Sequence, residues 1–252
     1  MLSLTPTKLR DYLICPQLYK LRHIDRVEDG RNSAALSFGR SMHAALEELH
    51  KIGVGSFHDP ERLLRRHWEA REYADSHEAE VYFTKGADAL GRYMNTPFAA
   101  PGQILGTEVF MSYVVNMKGL RLKLGCKADR VSVDAGGVLE VLDYKTNVSG
   151  RLPTPESLTD DLPTFLYYVL TRIYYPEHKA VRVSLLNMLT LAKVDVEYGE
   201  AKIAANKKKL IACAHVFAAS IFDPAPSEAC AWCAVQDCCP KFKTEVDLDS
   251  LL

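Results

Sequence analysis

The chain has 252 residues, 48% of them hydrophobic and 25% charged, with a formal net charge of −1. That balance fits an ordinary globular protein long enough to bury a substantial core, and it excludes a global basic field, so any contact with nucleic acid has to come from a local patch. The opening MLSLTPTKLRDYL lacks the basic and then apolar pattern of a signal peptide, and no stretch is long and apolar enough to span a membrane. The expectation is a cytoplasmic protein whose seven cysteines stay reduced, so that their clustering reads as metal or cluster ligation rather than disulfides.

Ser3–Thr5 is expected to cap a first helix running to about Leu21, with Leu9, Tyr12, Leu13 and Tyr19 on its apolar side. Pro16 should end or restart that helix, because the residue before a proline is pushed out of the α region. Cys15 beside it reads as a small buried hydrophobe unless a partner thiolate appears. Ser33–Lys51 repeats Leu36, Met42, Leu46 and Leu49 at helical spacing and should be an amphipathic helix. Gly39 and His43 lie four apart on one face, which suits a histidine beside a close backbone or ligand approach, or a plain surface histidine. Residues 55–100 are polar and helical in character, open at Asp59-Pro60-Glu61, carry Trp68 and Tyr73 as anchors, and close at Asn95-Thr96-Pro97 and Pro101-Gly102. They read as a helical insertion without chemistry of its own.

From Ile104 the period changes to two. Ile104–Val115 and Leu120–Val133 are expected strands joined by a turn at Asn116–Gly119, and Asp134–Gly137 turns into Val138–Asn147, VLEVLDYKTN. In an extended strand Asp143 and Lys145 share a face and Tyr144 takes the other. A carboxylate and an ammonium side by side at the end of a buried strand are costly. They form either a plain strand-edge ion pair or a phosphodiester-cleaving site, the carboxylate holding a metal and the lysine near the phosphate or its water. Glu108, Asp129 and Asp143 all fall on this meander, and carboxylates converging at strand ends can share Mg²⁺ or Mn²⁺.

Gly150–Pro163 reads as a proline-rich loop, and Thr164–Tyr175 as a buried helix, apolar and aromatic nearly all round. Val181–Leu191 and Lys193–Tyr198 are expected strands. Glu200–Phe222 is a long helix whose Lys207-Lys208-Lys209 is a solvated face or a phosphate contact. The chain then reaches Cys230, Cys233, Cys238 and Cys239. The two-residue gap of Cys230 and Cys233, with Cys239 following, is a metal-ligand spacing that lacks a fourth donor; Cys15, far away in sequence, could supply it.

Taken in order, Cys15-Pro16, Gly39…His43, Glu108, Asp129, Asp143-x-Lys145 and Cys230, Cys233, Cys239 resemble the PD-(D/E)XK nuclease superfamily. Within it they resemble the RecB-type exonucleases that carry an iron–sulfur cluster, such as the nuclease domain of AddB and the CRISPR-associated adaptation nucleases. The resemblance implies an α/β fold with a mixed central sheet flanked by helices, in one nuclease domain over residues 1–252. N-terminal helices would occupy 1–54, a helical insertion 55–102, the catalytic core 103–199, and the last helix with its cysteines 200–252. It further implies that His43, Asp129 and Asp143 ligate a divalent metal with help from the carbonyl of Tyr144. Lys145 would orient the attacking water, Glu108 would support the site, and Cys15, Cys230, Cys233 and Cys239 would hold a [4Fe–4S] cluster, with Cys238 the rival for the last position.

Two departures stand out. The family's Q-x-x-x-Y keeps its tyrosine as Tyr167 but has Pro163 in place of the glutamine. Gly125 to Asp129 is one residue longer than the usual G-x-x-D, suggesting a bulge before the ligand. An imidazole with two carboxylates suits Mn²⁺ at least as well as Mg²⁺. Lys118, Lys123 and Lys127 could track a phosphate backbone while aromatic residues near Tyr167 stack unpaired bases. The expectation is a metal-dependent DNA exonuclease acting on single-stranded ends in recombination, repair or CRISPR spacer acquisition, with a helicase or integrase as possible partner. The rival readings are a non-catalytic DNA-end-binding subunit that keeps the fold, and a zinc-stabilised protein.

Overall fold

The computed structural model describes residues 2–27, 33–56 and 59–242. Residues 57 and 58 of the expected insertion and 243–252 of the expected C-terminal segment lie outside them. At the centre of the described residues is a six-stranded mixed sheet. β2 (Gln103–Met117) and β3 (Leu120–Val133) form a long antiparallel hairpin. Lys118 and Gly119 turn it with φ of 51° and 89°, and the Asn116 side chain accepts the Gly119 amide at 2.8 Å. Such left-handed pairs match the twist of the flanking strands. β4 (Leu139–Lys145) runs antiparallel to β3. The intervening turn is held by the Asp134 carboxylate, which accepts the amides of Gly136 and Val138. β5 (Val181–Asn187) lies parallel to β4, and β6 (Lys193–Glu197) pairs antiparallel with β5.

The chain opens differently from the expectation. Ser3–Leu4 is a short strand, β1, pairing parallel with β3 at Lys123 and Leu124. Thr5 alone caps α1 (Pro6–Ile14), its hydroxyl accepting the Lys8 amide at 3.3 Å. Cys15 is extended because Pro16 follows, and the helix restarts as α2 (Pro16–Tyr19) before a π-helical turn over Lys20–Ile24.

α3 (Ala34–Ile52) is capped by Ser33 and buries Phe38, Met42, Leu46 and Leu49. Leu36 is 50% exposed rather than part of that stripe, since it stands at the rim of a hollow and not over the sheet. With α4 (Pro60–Arg66, capped by Asp59) and α5 (Ser76–Met94), α3 covers one sheet face around Leu142, Tyr144, Leu186 and Met188. Trp68 stacks on Tyr73 at 5.2 Å between ring centres.

The opposite face carries Leu139, Val141, Val183 and Leu185, packed with residues of α1, α6 (Pro155–Asp160), α7 (Leu162–Tyr174) and α8 (Glu200–Ala218). The expected proline loop therefore contains a helix, α6, and α7 begins within it. Pro163 sits in the first turn of α7, where the missing N–H costs nothing. α7 is less enclosed than its composition suggests, with Tyr174 41% exposed. α8 stops at Ala218, short of Phe222, with Ser220 at a φ of 57°. No helix among the described residues is long and apolar enough to cross a membrane.

The expected bulge is also displaced. β3 pairs with β2 in one register from Leu120 to Val131, so no residue is inserted between Gly125 and Asp129. The extra residue is on β2, between Ile104 and Gly106. What does change near Asp129 is the facing of β3: Leu124, Cys126 and Ala128 share one core with Val131, so the alternation switches between Ala128 and Val131. Opposite that switch Glu108 has a φ of 52°, a left-handed conformation costly for a residue with a side chain.

Candidate metal centre

A hollow of ≈ 670 Å³ opens between α3, the interior of the β2–β3 hairpin and the end of β4, lined by Gly39, His43, Glu108, Lys127, Asp129, Asp143, Tyr144 and Lys145 among others. A Cβ on Gly39 would lie 3.2 Å from Thr146 Oγ1, so α3 reaches the chain beyond β4 most closely at that glycine. One helical turn on, His43 Nδ1 lies 3.2 Å from Asp129 Oδ1. Asp129 Oδ2 accepts the Tyr144 amide at 2.6 Å. Donor atoms of His43, Glu108 and Asp129 lie within 4.8 Å of one another, a spacing at which one imidazole and two carboxylates can share a divalent ion.

Asp143 and Lys145 face the same side of β4, as alternation requires, and form an ion pair. Asp143 stands outside the three-residue group. Its Oδ1 lies 3.4 Å from the Tyr167 hydroxyl, which also meets the Lys127 carbonyl at 3.2 Å. Its Oδ2 is buried and is the oxygen that meets the Lys145 ammonium. A buried carboxylate oxygen that already faces a cationic group has the chemistry of a hard-cation ligand. Glu108 pairs with the exposed ammonium of Lys127. Lys118 lies in the hairpin turn and Lys123 farther along β3, and neither lines this hollow.

The electrostatics follow from this crowding. Burial raises the Asp143 pKa, with the Asp129 charge adding to it, while Lys145 and His43 oppose. Burial disfavours protonation of His43, but its hydrogen bond to Asp129 and the charges of Asp129, Asp143 and Glu108 outweigh it and raise its pKa. A proton and a cation therefore compete for the same nitrogen. Lys127 is raised chiefly by its hydrogen bond to Glu108.

Beneath the hollow lies a polar network that sequence reasoning missed. Arg130, 1% exposed, bonds to Glu140 Oε2 (3.1 Å), the Tyr93 hydroxyl (2.9 Å) and the Phe98 carbonyl (2.5 Å). Tyr93 meets the Tyr144 hydroxyl at 2.9 Å, and His50 Nε2 reaches both phenols, at 2.8 and 3.0 Å. Glu140 is completed by Ser184 and Lys193. Tyr144 is thus clamped at its side chain by this network and at its amide by Asp129. The insertion expected to lack chemistry supplies Tyr93. On the rim, buried Asn187 donates to the Asn147 carbonyl and side-chain oxygen at 3.2 and 2.9 Å, anchoring the segment after β4.

The cysteines collect elsewhere. Cys15, Cys230, Cys233 and Cys239 line one cavity of ≈ 240 Å³ between α2 and the C-terminal turns, and Cys238 is not among its lining residues. The Ala225 amide donates to Cys15 Sγ at 3.4 Å and the Ser227 amide to Cys230 Sγ at 3.5 Å.

A mixed sheet that brings acidic groups of β2 and β3 beside a D-x-K pair at the end of β4 gives an α/β protein with a candidate cation site. The family model described as the PD-(D/E)XK nuclease superfamily matches residues 3–240, and the chain belongs to that superfamily. A crystal structure described as a "putative exonuclease" from Eubacterium rectale is similar in fold, at a TM-score of 0.58 and 14% identity, covering 99% of this chain and 92% of that one. The crystal structure of SSO0001 aligns at a TM-score of 0.41 and 15% identity, over 94% of each chain. No curated protein matches the sequence.

Proposed function

We propose that the protein is a divalent-metal-dependent DNA exonuclease acting on single-stranded ends. The observation that carries this reading is the gathering of His43, Glu108 and Asp129 within 4.8 Å beside the Asp143–Lys145 pair. A bound Mn²⁺ or Mg²⁺ would polarise the phosphate and lower the pKa of a water. His43, Glu108 and Asp129 would hold the ion, with Asp143 beside them as a further carboxylate and Lys145 as the cation facing the phosphate. The carbonyl of Tyr144, fixed by its clamped side chain, assists. Lys145 orients the water and offsets phosphate charge, and Tyr167 holds Asp143 in place.

Around the second site, Cys15, Cys230, Cys233 and Cys239 would hold a [4Fe–4S] cluster, which would staple the N-terminal helices to the C-terminal turns. Two sulfurs already accept backbone amides, the hydrogen bonds that tune such clusters. The natural setting of this reading is recombination, repair or CRISPR spacer acquisition beside a helicase or integrase.

Pro163, the feature that favours a non-catalytic subunit, is a first-turn residue of α7 and leaves Tyr167 in reach of Asp143. The deciding experiment incubates labelled single-stranded DNA with Mn²⁺ and the wild type, Asp143→Ala or Lys145→Ala. Degradation by the wild type alone is expected; undiminished cleavage by either variant sinks the assignment.

A further inference from the structure

A second hollow of ≈ 350 Å³ adjoins the metal centre and shares Lys145 with it. Arg10 of α1 faces it from one side, and Ser157, Asp160 and Asp161 from α6 and the start of α7 face it from another. Both carboxylates are already engaged. Asp160 pairs with Lys202 at 3.1 Å and with Lys209 at 2.9 Å. Asp161 caps α7, accepting from the amide and hydroxyl of Thr164 at 2.8 and 2.5 Å. Arg10 is exposed and, among the described residues, makes no hydrogen bond or ion pair, although its charge is felt at Tyr167.

Lys202 and Lys209 together balance the charges of Asp160 and Asp161, so Arg10 remains the hollow's unpaired cation among the described residues, and its guanidinium keeps its whole fork of donors unspent. That fork matches the oxygens of a phosphate, which it binds through two parallel hydrogen bonds. Lys145 stands between the two hollows, so an anion held by Arg10 and a group at His43, Glu108 and Asp129 would sit on either side of one ammonium.

We propose that the second hollow is a phosphate subsite, in which Arg10 holds a phosphate of the nucleic-acid strand next to the one presented to the metal centre. The identity of the strand rests on the nuclease reading; the anion preference rests on the hollow itself. Binding of a short labelled DNA single strand in EDTA tests it, with wild type, Arg10→Ala and Arg10→Lys. Arg10→Ala should bind about tenfold more weakly at low salt, with a slope of log affinity against log salt shallower by about 0.7. Arg10→Lys should restore the slope without the full affinity.

Strands ending in phosphate or in hydroxyl locate the contact. An Arg10 effect that disappears with the terminal phosphate marks a monoester end, and one that persists marks an internal diester. Unchanged affinity and slope in Arg10→Ala, or no binding by the wild type, overturns the proposal. Wild-type protein that binds in this Arg10-dependent way yet cleaves nothing with Mn²⁺ removes the nuclease reading and leaves the subsite standing.

Discussion

The amide of Tyr144 donates to Asp129 Oδ2 at 2.6 Å, one step beyond the last ladder pair of β3 with β4, Arg130 opposite Leu142. A side-chain carboxylate takes over where a backbone carbonyl would otherwise accept, so the end of β4 is positioned by a residue of the candidate metal centre. Asp129→Ala should therefore do two things. It should leave the buried amide unpaired, costing about 1–3 kcal/mol of stability, and it should weaken Mn²⁺ binding. Asp129→Asn, whose amide oxygen can still accept, should keep most of the stability and lose the affinity. Thermal melts and Mn²⁺ titration calorimetry separate the two effects.

Arg130 and Glu140 face each other with exposures of 1% and 7%. Removing Arg130 leaves Glu140 with Lys193 as its one remaining cation among the described residues and takes the donor from the Phe98 carbonyl, so Arg130→Met should destabilise by about 1–3 kcal/mol. The double variant Arg130→Met with Glu140→Leu should recover much of that loss. Denaturant unfolding of the single and double variants measures the difference, and a double variant no better than the single would refute the account.

His50 should give the protein an acid limit. Burial, and then the charge of Arg130, hold its pKa down to about 3 against an ordinary 6.5. Below 6.5 the unfolded chain takes up a proton that the folded chain refuses, so stability falls as pH drops from 6.5 towards 3. At pH 5 the loss from this residue is about 2 kcal/mol. Urea unfolding between pH 7 and 5 should show this decline in the wild type and a flatter one in His50→Gln, which can still hydrogen-bond but does not titrate.

The cysteine cavity predicts an asymmetry between neighbours. Protein purified without oxygen should absorb near about 400 nm. Cys15→Ser or Cys239→Ser should abolish that band and lower the melting temperature, because ligand binding to the folded state is folding free energy. Cys238→Ser, outside the cavity, should change neither.

Much of the site was legible from local pattern. Period-two alternation placed Asp143 and Lys145 together and Tyr144 opposite, and helical spacing put Gly39 and His43 on the face that meets β4. The buried network was not legible, because Glu140 reads as the polar residue of an alternating strand and Arg130 as its solvated partner. The packing of α3 and of α5, part of a stretch that looked like a cover, turns that face inward. Glu108 gave no warning of its left-handed backbone, which follows from pairing with β3 and not from its neighbours in sequence. The two-residue β1 and six-residue α6 were missed because neither is long enough to show a period.

The candidate metal centre draws on both layers of the molecule: His43 comes from α3, above one core, and Tyr167 from α7, above the other. Two hydrophobic cores separated by a sheet can open independently, as separate cooperative units. A site assembled across them exists only while both are closed. Its occupancy would then report on the fold as a whole, and a cation gripping His43 and Asp143 together would make two partly independent unfolding events into one.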